Sequence, residues 1–163
     1  GYLYSGQPFG YAGAIDLTQN FTIEFWMYVT GRPGTFLFIR GDGGDPIGAT
    51  MDSSGAIQWG RAYAGDYVTT SGSLWSINTW THIALVNDVT NNSKRTYING
   101  TQRASNGGAL TTNGQPAYYE WGDGHDFDMG YSTTYISNMR WTQALRYTSS
   151  FTPSFTNYPQ AAN

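Results

Sequence analysis

The stretch Tyr135-Ile-Ser-Asn-Met-Arg-Trp-Thr-Gln-Ala-Leu-Arg-Tyr-Thr-Ser-Ser-Phe-Thr-Pro153 decides how this chain is read. It opens as an alternating strand, passes through a short turn-like link, and closes on an aromatic anchor and a proline. Alternation sets successive side chains on opposite faces of a sheet. Alone, the stretch marks the last strand of a β-domain. Two upstream segments extend the reading. Phe21-Thr-Ile-Glu-Phe-Trp-Met-Tyr-Val29 puts Phe21, Ile23, Phe25, Met27 and Val29 on a core face, and Thr22, Glu24, Trp26 and Tyr28 on the other. Two large aromatics on that second face predict partial cover there as well. Trp80-Thr-His-Ile-Ala-Leu-Val86 is a further strand. It is followed by Lys94-Arg-Thr-Tyr-Ile-Asn-Gly-Thr101, in which Asn99-Gly100 is a two-residue hairpin signal.

The remaining chain has the same texture. Strands are predicted at Thr35–Arg40, Ile47–Met51, Ala56–Arg61, Tyr67–Thr70, Gln102–Ser105, Ala117–Trp121 and Thr133–Thr142. Glycine, proline, asparagine and aspartate punctuate them, as in Gly31-Arg-Pro-Gly34 and Asp52-Ser-Ser-Gly55. No window carries a 3.6-residue apolar period, so at most one helical turn is expected, at Thr142–Tyr147. Many short strands with such punctuation predict an all-β, two-sheet antiparallel sandwich with minimal helix. The 163 residues fit one domain, 1–163.

The three segments together resemble the laminin-G-like, concanavalin A-like jelly-roll family of lectin and glucanase sandwiches, over roughly residues 10–155. The resemblance implies a jelly roll. It gives Arg140, Phe151 and Trp80 structural roles: Arg140 pairing within the sheet, Phe151 pinning the C-terminal segment, Trp80 opening its strand. It also implies that loop acids and carbonyls at a rim can hold calcium. The closing Leu145-Arg-Tyr-Thr-Ser-Ser-Phe-Thr-Pro153 looks like a version found in phage and environmental bacterial jelly-roll proteins, where such domains are appended to structural proteins.

Composition narrows the partners. Net charge is −3 with Lys and Arg together at 8, which argues against nucleic acid. No apolar run reaches the length of a membrane span, so no membrane insertion is expected. There are no cysteines, which excludes a disulfide-stapled fold and an all-thiolate zinc site. The chain begins at Gly1 with no signal-like stretch and reads as a processed product or, in preference, a domain cut from a longer parent. Aromatics make up 17% and charged residues 12%, against about 25% charged in ordinary domains. A surface kept soluble by Tyr, Asn, Ser and Thr suits neutral polar ligands such as sugars, whose C–H faces stack on flat rings. The competing reading is that aromatic sandwich cores simply use many Tyr and Trp.

Catalytic constellations are not found. A glucanase needs two carboxylates about 5–5.5 Å apart for retention. The glutamates are Glu24 and Glu120, and neither has a second acid two or four residues away. Asp126 and Asp128 alternate, but in a Gly-rich loop. The expectation is a protein that is not an enzyme. His82 reads as a packed strand histidine.

Candidate carbohydrate-binding residues are Trp59, Tyr63 and Tyr67, around the Gly60–Asp66 segment, and Tyr118, Tyr119 and Trp121, with His125 beyond them. One of Tyr118 and Tyr119 must face outward, because neighbours alternate. Candidate metal ligands are Asp42 and Asp45 in one loop, and Asp123, Asp126 and Asp128 in another. Calcium takes hard oxygen ligands from such loops, and the flanking glycines permit tight backbone. The expected function is a carbohydrate-recognition or adhesion module, calcium-assisted, binding a glycan or cell-surface polysaccharide. Its place is extracellular, at a cell surface or on a virion. The alternative is a structural or assembly domain of a phage or virus particle or a surface filament. It would work through self-association or contacts with parent-particle proteins.

Overall fold

β1 (Phe21–Val29) lies between a strand from the far end of the chain and one from its middle, and the sandwich is organised around it. The computed structural model describes residues 16, 18–31, 35–41, 47–52, 54–61, 67–72, 75–110, 117–120 and 134–154, with backbone course alone for 35–41, 47, 117–120 and 134. The further strands are β2 (Thr35–Gly41), β3 (Ile47–Met51), β4 (Ile57–Arg61), β5 (Val68–Thr69) and β6 (Thr81–Asp88). They are followed by β7 (Ser93–Ile98), β8 (Thr101–Gly107), β9 (Ala117–Glu120) and β10 (Thr134–Thr142). Among the described residues there is no helix. The strands form two five-stranded sheets, ordered β10-β1-β6-β7-β8 and β5-β4-β3-β2-β9. Every strand pairing is antiparallel.

The core forms where the inward faces meet. From β1 come Phe21, Ile23, Phe25, Met27 and Val29, and from β6 Ile83 and Leu85. The opposite sheet supplies Ala49, Met51, Ile57, Trp59 and Val68. Each large apolar side chain buried here contributes about 1.5–3 kcal/mol. Phe21 stacks on Trp141, with ring centroids 4.8 Å apart and 27° between planes, and meets Trp59 at 6.4 Å. The Trp59 Nε1–H donates across the sandwich to Thr96 Oγ1 at 3.0 Å. Leu110 is drawn into the core by Asn87, whose Oδ1 accepts from the Leu110 N–H at 2.7 Å while its Nδ2 donates to the Leu110 carbonyl at 3.1 Å.

Two local features set register. Asn99 and Gly100 have φ of 50° and 75°, the paired positive values of a type I′ turn, as the dipeptide predicts. The Asn99 Oδ1 also accepts from the His82 N–H at 2.9 Å, tying the hairpin to β6. In β10, Asn138 takes φ 50° where the β1–β10 register shifts between Glu24 and Trp26, so an extra residue is accommodated there. The helical turn allowed at Thr142–Tyr147 does not form. The chain after β10 runs instead as a strap, because Leu145, Tyr147 and Phe151 pack against Ala84, Val86 and Tyr97 on the outer face of the first sheet.

Candidate functional site

The outer face of the first sheet carries β1 residues Thr22, Glu24, Trp26 and Tyr28, and register fixes their neighbours. Glu24 sits beside Arg140 on β10 and Ala84 on β6; Trp26 sits beside Ser137 and His82; Tyr28 sits beside Tyr135. Strap and sheet meet at Glu24, which is 3% exposed. Its Oε1 accepts from Arg140 Nε at 2.6 Å and lies 2.5 Å from Arg140 Nη2 and 2.8 Å from Arg146 Nε. Its Oε2 accepts from the Tyr147 hydroxyl at 2.5 Å and lies 3.3 Å from His82 Nε2. Burial pushes this carboxyl up, but hydrogen bonds from His82, Tyr147 and Arg140, with the Arg140 charge, outweigh it and hold the pKa at about 2. The burial that stabilises the neutral acid is thus overcome by donors aimed at the anion.

A carboxylate offers about four acceptor positions, and five donor atoms already surround this one. It is committed to holding the strap. Tyr147 stacks face to face on Phe151 at 3.5 Å and 5°, and Phe151 meets His82 edge-on at 5.7 Å. Burial raises the Tyr147 hydroxyl pKa, and its hydrogen bond to Glu24 raises it further, so the phenol stays a donor. The structural roles expected of Arg140 and Phe151 are what the geometry gives.

Beyond the strap's contact with His82, the same face ends in three rings side by side. Tyr28 and Tyr135 lie 6.0 Å apart at 64°, and Tyr28 and Trp80 lie 5.7 Å apart at 54°. Tyr28 and Trp80 are half-buried, while Tyr135 is 55% exposed. The turn before Trp80 is fixed to the end of β1 by the Asn78 N–H, which donates to the Val29 carbonyl at 2.7 Å. That turn carries Ile77, 49% exposed. Both large hydrophobic side chains exposed among the described residues, Ile77 and Tyr135, therefore belong to this end of the sheet. The sequence carried a signal for this row: Tyr28 and Trp26 share a face in strict alternation. It did not reveal that Trp26 would be buried and Tyr28 only half-buried.

The residues singled out from sequence fare unevenly. Trp59 is corrected: it is 0% exposed, inside the core, with its N–H bonded to Thr96, so it presents no ring to a ligand. Tyr67 is half-buried just before β5, its carbonyl accepting from Asn106 Nδ2 at 3.0 Å. Tyr118 and Tyr119 lie on β9, paired with Arg40 and Ile39. The second sheet's order separates β9 from β4 by β3 and β2, about 14 Å at the usual strand spacing, so the two aromatic groups occupy opposite sides of it. Tyr63, Trp121 and His125 lie outside the described residues, as do Asp42, Asp45, Asp123, Asp126 and Asp128. The strands leading to the two acidic loops are described. Gly41 at the end of β2 pairs with Ala117 at the start of β9, while Glu120 pairs with Phe38. The chain therefore enters the Asp42–Asp45 loop and the Asp123–Asp128 loop from opposite ends of this strand pair. Among the described residues no group of three His, Cys, Asp or Glu could hold a metal.

Comparison with known proteins follows the architecture. Residues 7–146 match the profile of the concanavalin A-like lectin/glucanases superfamily. The chain belongs to that superfamily. No curated protein matches it in sequence. Among solved structures, the native heptameric SAP-like pentraxin from Limulus polyphemus is similar at TM-score 0.58 and 13% identity, over 82% of this chain and 68% of that one. The botulinum neurotoxin serotype D binding domain is similar at TM-score 0.59 and 16% identity, over 81% of this chain but 35% of that one. The Ruminococcus gnavus IT-sialidase CBM40 bound to α2,3 sialyllactose is similar at TM-score 0.56 and 14% identity, over 76% and 78%. At these identities the likeness is one of fold. Among the described residues no helix is long and apolar enough to cross a membrane.

Proposed function

We propose that this superfamily member is a non-catalytic carbohydrate-recognition and adhesion module, acting outside the cell or on a particle surface. The observation that carries the reading is the superfamily match over residues 7–146 in a chain with 12% charged and 17% aromatic residues. A chain with few charged residues favours neutral polar ligands over polyanions. The carbohydrate-binding module among the structural neighbours, bound to sialyllactose, supports the same class of ligand. Glu24, the one described glutamate side chain, is saturated by Arg140, Arg146, Tyr147 and His82, which supports binding without hydrolysis. Tyr63, Tyr67, Tyr118, Tyr119, Trp121 and His125 stay within this proposal. So does calcium held by Asp42, Asp45, Asp123, Asp126 and Asp128.

The test is a glycan array run in millimolar calcium and repeated with chelator. Selective binding lost on chelation supports the calcium-assisted form. Selective binding in both buffers supports an aromatic site without metal. A blank array in both buffers refutes the carbohydrate reading. In that case assembly through protein contacts takes its place. The exposed Ile77 and Tyr135 at one end of the sheet favour that second reading, and sedimentation at micromolar concentration tests it.

A further inference from the structure

The Asn99–Gly100 turn joins β7 to β8 and also carries the end of the strap. Its sequence is fixed from two sides. Asn99 takes φ 50°, a conformation that asparagine enters more readily than most residues. Gly100 takes φ 75°, and the Phe151 carbonyl stands where a Cβ would be. The Gly100 carbonyl accepts from the Phe151 N–H at 2.8 Å, so the turn holds the strap directly. An asparagine followed by glycine is also the pair whose side-chain amide is most readily lost, because no Cβ shields the glycine nitrogen. We propose that Asn99 is a self-modification site: the Gly100 nitrogen displaces ammonia from the Asn99 side chain, and the isoaspartyl turn that results releases the strap at Phe151.

The step needs no reactant but water. The Gly100 nitrogen gives up its proton and bonds to Asn99 Cγ. The bond from Cγ to Nδ2 breaks, and the amide leaves as ammonia, taking up that proton. Water then opens the cyclic imide at one of its two carbonyls. Opening at Cγ leaves aspartate with the main chain restored. Opening at the backbone carbonyl leaves isoaspartate, with the chain running through the side-chain carbon. Nothing is oxidised or reduced.

Three features of the folded turn favour the attack. The Asn99 Oδ1 accepts from the His82 N–H at 2.9 Å, so a donor is already aimed at the oxygen on which negative charge develops when Cγ is attacked. The Asn99 side chain is exposed and its Nδ2 donates to no described group, so solvent reaches the leaving nitrogen. The Asn99 N–H is spent on the His82 carbonyl at 2.8 Å and the Gly100 carbonyl on Phe151, while the Gly100 N–H takes part in neither pairing. The other described Asn-Gly pair, Asn106–Gly107 in β8, is arranged the opposite way. Its Nδ2 donates to the Tyr67 carbonyl at 3.0 Å, and no described donor meets its Oδ1. The leaving group is held there and the carbonyl is not. The consequence for the strap follows from the turn. Isoaspartate adds one backbone atom to a two-residue turn whose ends are registered, Ile98 with Thr101. The Gly100 carbonyl is then displaced from the Phe151 N–H, and Phe151 loses its seat between His82 and Tyr97.

The experiment ages the intact chain in mildly alkaline buffer, with and without urea, and maps the products peptide by peptide with fragmentation that separates aspartate from isoaspartate. In the folded chain Asn99 is expected to react about tenfold faster than Asn106. In urea the two are expected to react alike, since both precede glycine. Hydrogen exchange at the Phe151 amide reads the strap. Its protection is expected to be lost in the isoaspartyl product and kept in N99D, which carries the other product and accepts the same φ. Equal rates in the folded chain, or a lead for Asn106, overturn the site. A lead for Asn99 of the same size in urea overturns the folded turn as its cause. Phe151 protection that survives in the isoaspartyl chain, or is lost equally in N99D, overturns the release of the strap.

Discussion

Replacing Glu24 by glutamine keeps the shape of the side chain and removes the charge on which four residues converge. Arg140 and Arg146 then lose their counter-ion, and an amide N–H₂ is turned toward donors that need an acceptor. Breaking a buried ion pair from one side costs about 3–5 kcal/mol. Here Arg140 and Arg146 are 51% and 33% exposed, so water compensates part of that loss. The carboxyl gives an independent measure: its pKa falls from 4.5 to about 2. A tenfold change in proton affinity corresponds to about 1.4 kcal/mol, and screening by water brings the contribution to about 2–3 kcal/mol. Because the folded pKa is the depressed one, this stability is fully present above the unfolded value near 4.5 and is lost as pH falls through about 2. Urea denaturation of wild type and E24Q at a series of pH values measures it. At pH 7 the variant is expected to be less stable by about 2–3 kcal/mol, some 5–10 °C in Tm for a chain of this size. The gap should close as the pH falls from 4.5 toward 2. A gap under about 0.5 kcal/mol at pH 7, within the range of an ordinary surface change, refutes the hub. So does a gap that does not vary with pH.

Two other perturbations test how the strap and core are held. A Cβ on Gly100 would overlap the Phe151 carbonyl, and the φ of 75° is already unfavourable for alanine. G100A is therefore expected to lift the strap near Phe151, costing about 2 kcal/mol or more and hastening proteolysis after Thr148. Asn87→Ala leaves the Leu110 amide and carbonyl buried without their partners, and a loss of about 2–3 kcal/mol in chemical denaturation is expected.

Local pattern carried most of the fold. The strict alternation of β1 gave its buried face residue by residue, and Asn99-Gly100 gave its turn, because both depend on neighbours in sequence. Trp59 shows a signal passed over: Ile57 and Trp59 alternate inward about the half-buried Gln58, so its burial was legible in β4. The convergence on Glu24 was not legible. It depends on the register of β10 against β1, including the shift at Asn138, and on the strap returning over a face that alternation alone leaves open. The same holds for Tyr28, Trp80 and Tyr135. Their types are visible in sequence, but their adjacency is a property of pairing between strands more than fifty and one hundred residues apart.

The strand pairing has a consequence for how the protein is made. β1 leaves the ribosome long before β10, yet Thr22 finds its β10 partner only at Thr142, and Glu24 its counter-ions only at Arg140 and Arg146. Until translation reaches them, a nine-residue strand holding two Phe, an Ile, a Trp, a Met and a Val keeps one edge and its outer face uncovered. Closing so distant a contact is slow, and an exposed apolar edge in the meantime invites association with other chains. The nascent domain therefore needs shelter for most of its synthesis, and truncation before Arg140 should yield an aggregating product rather than a smaller sandwich.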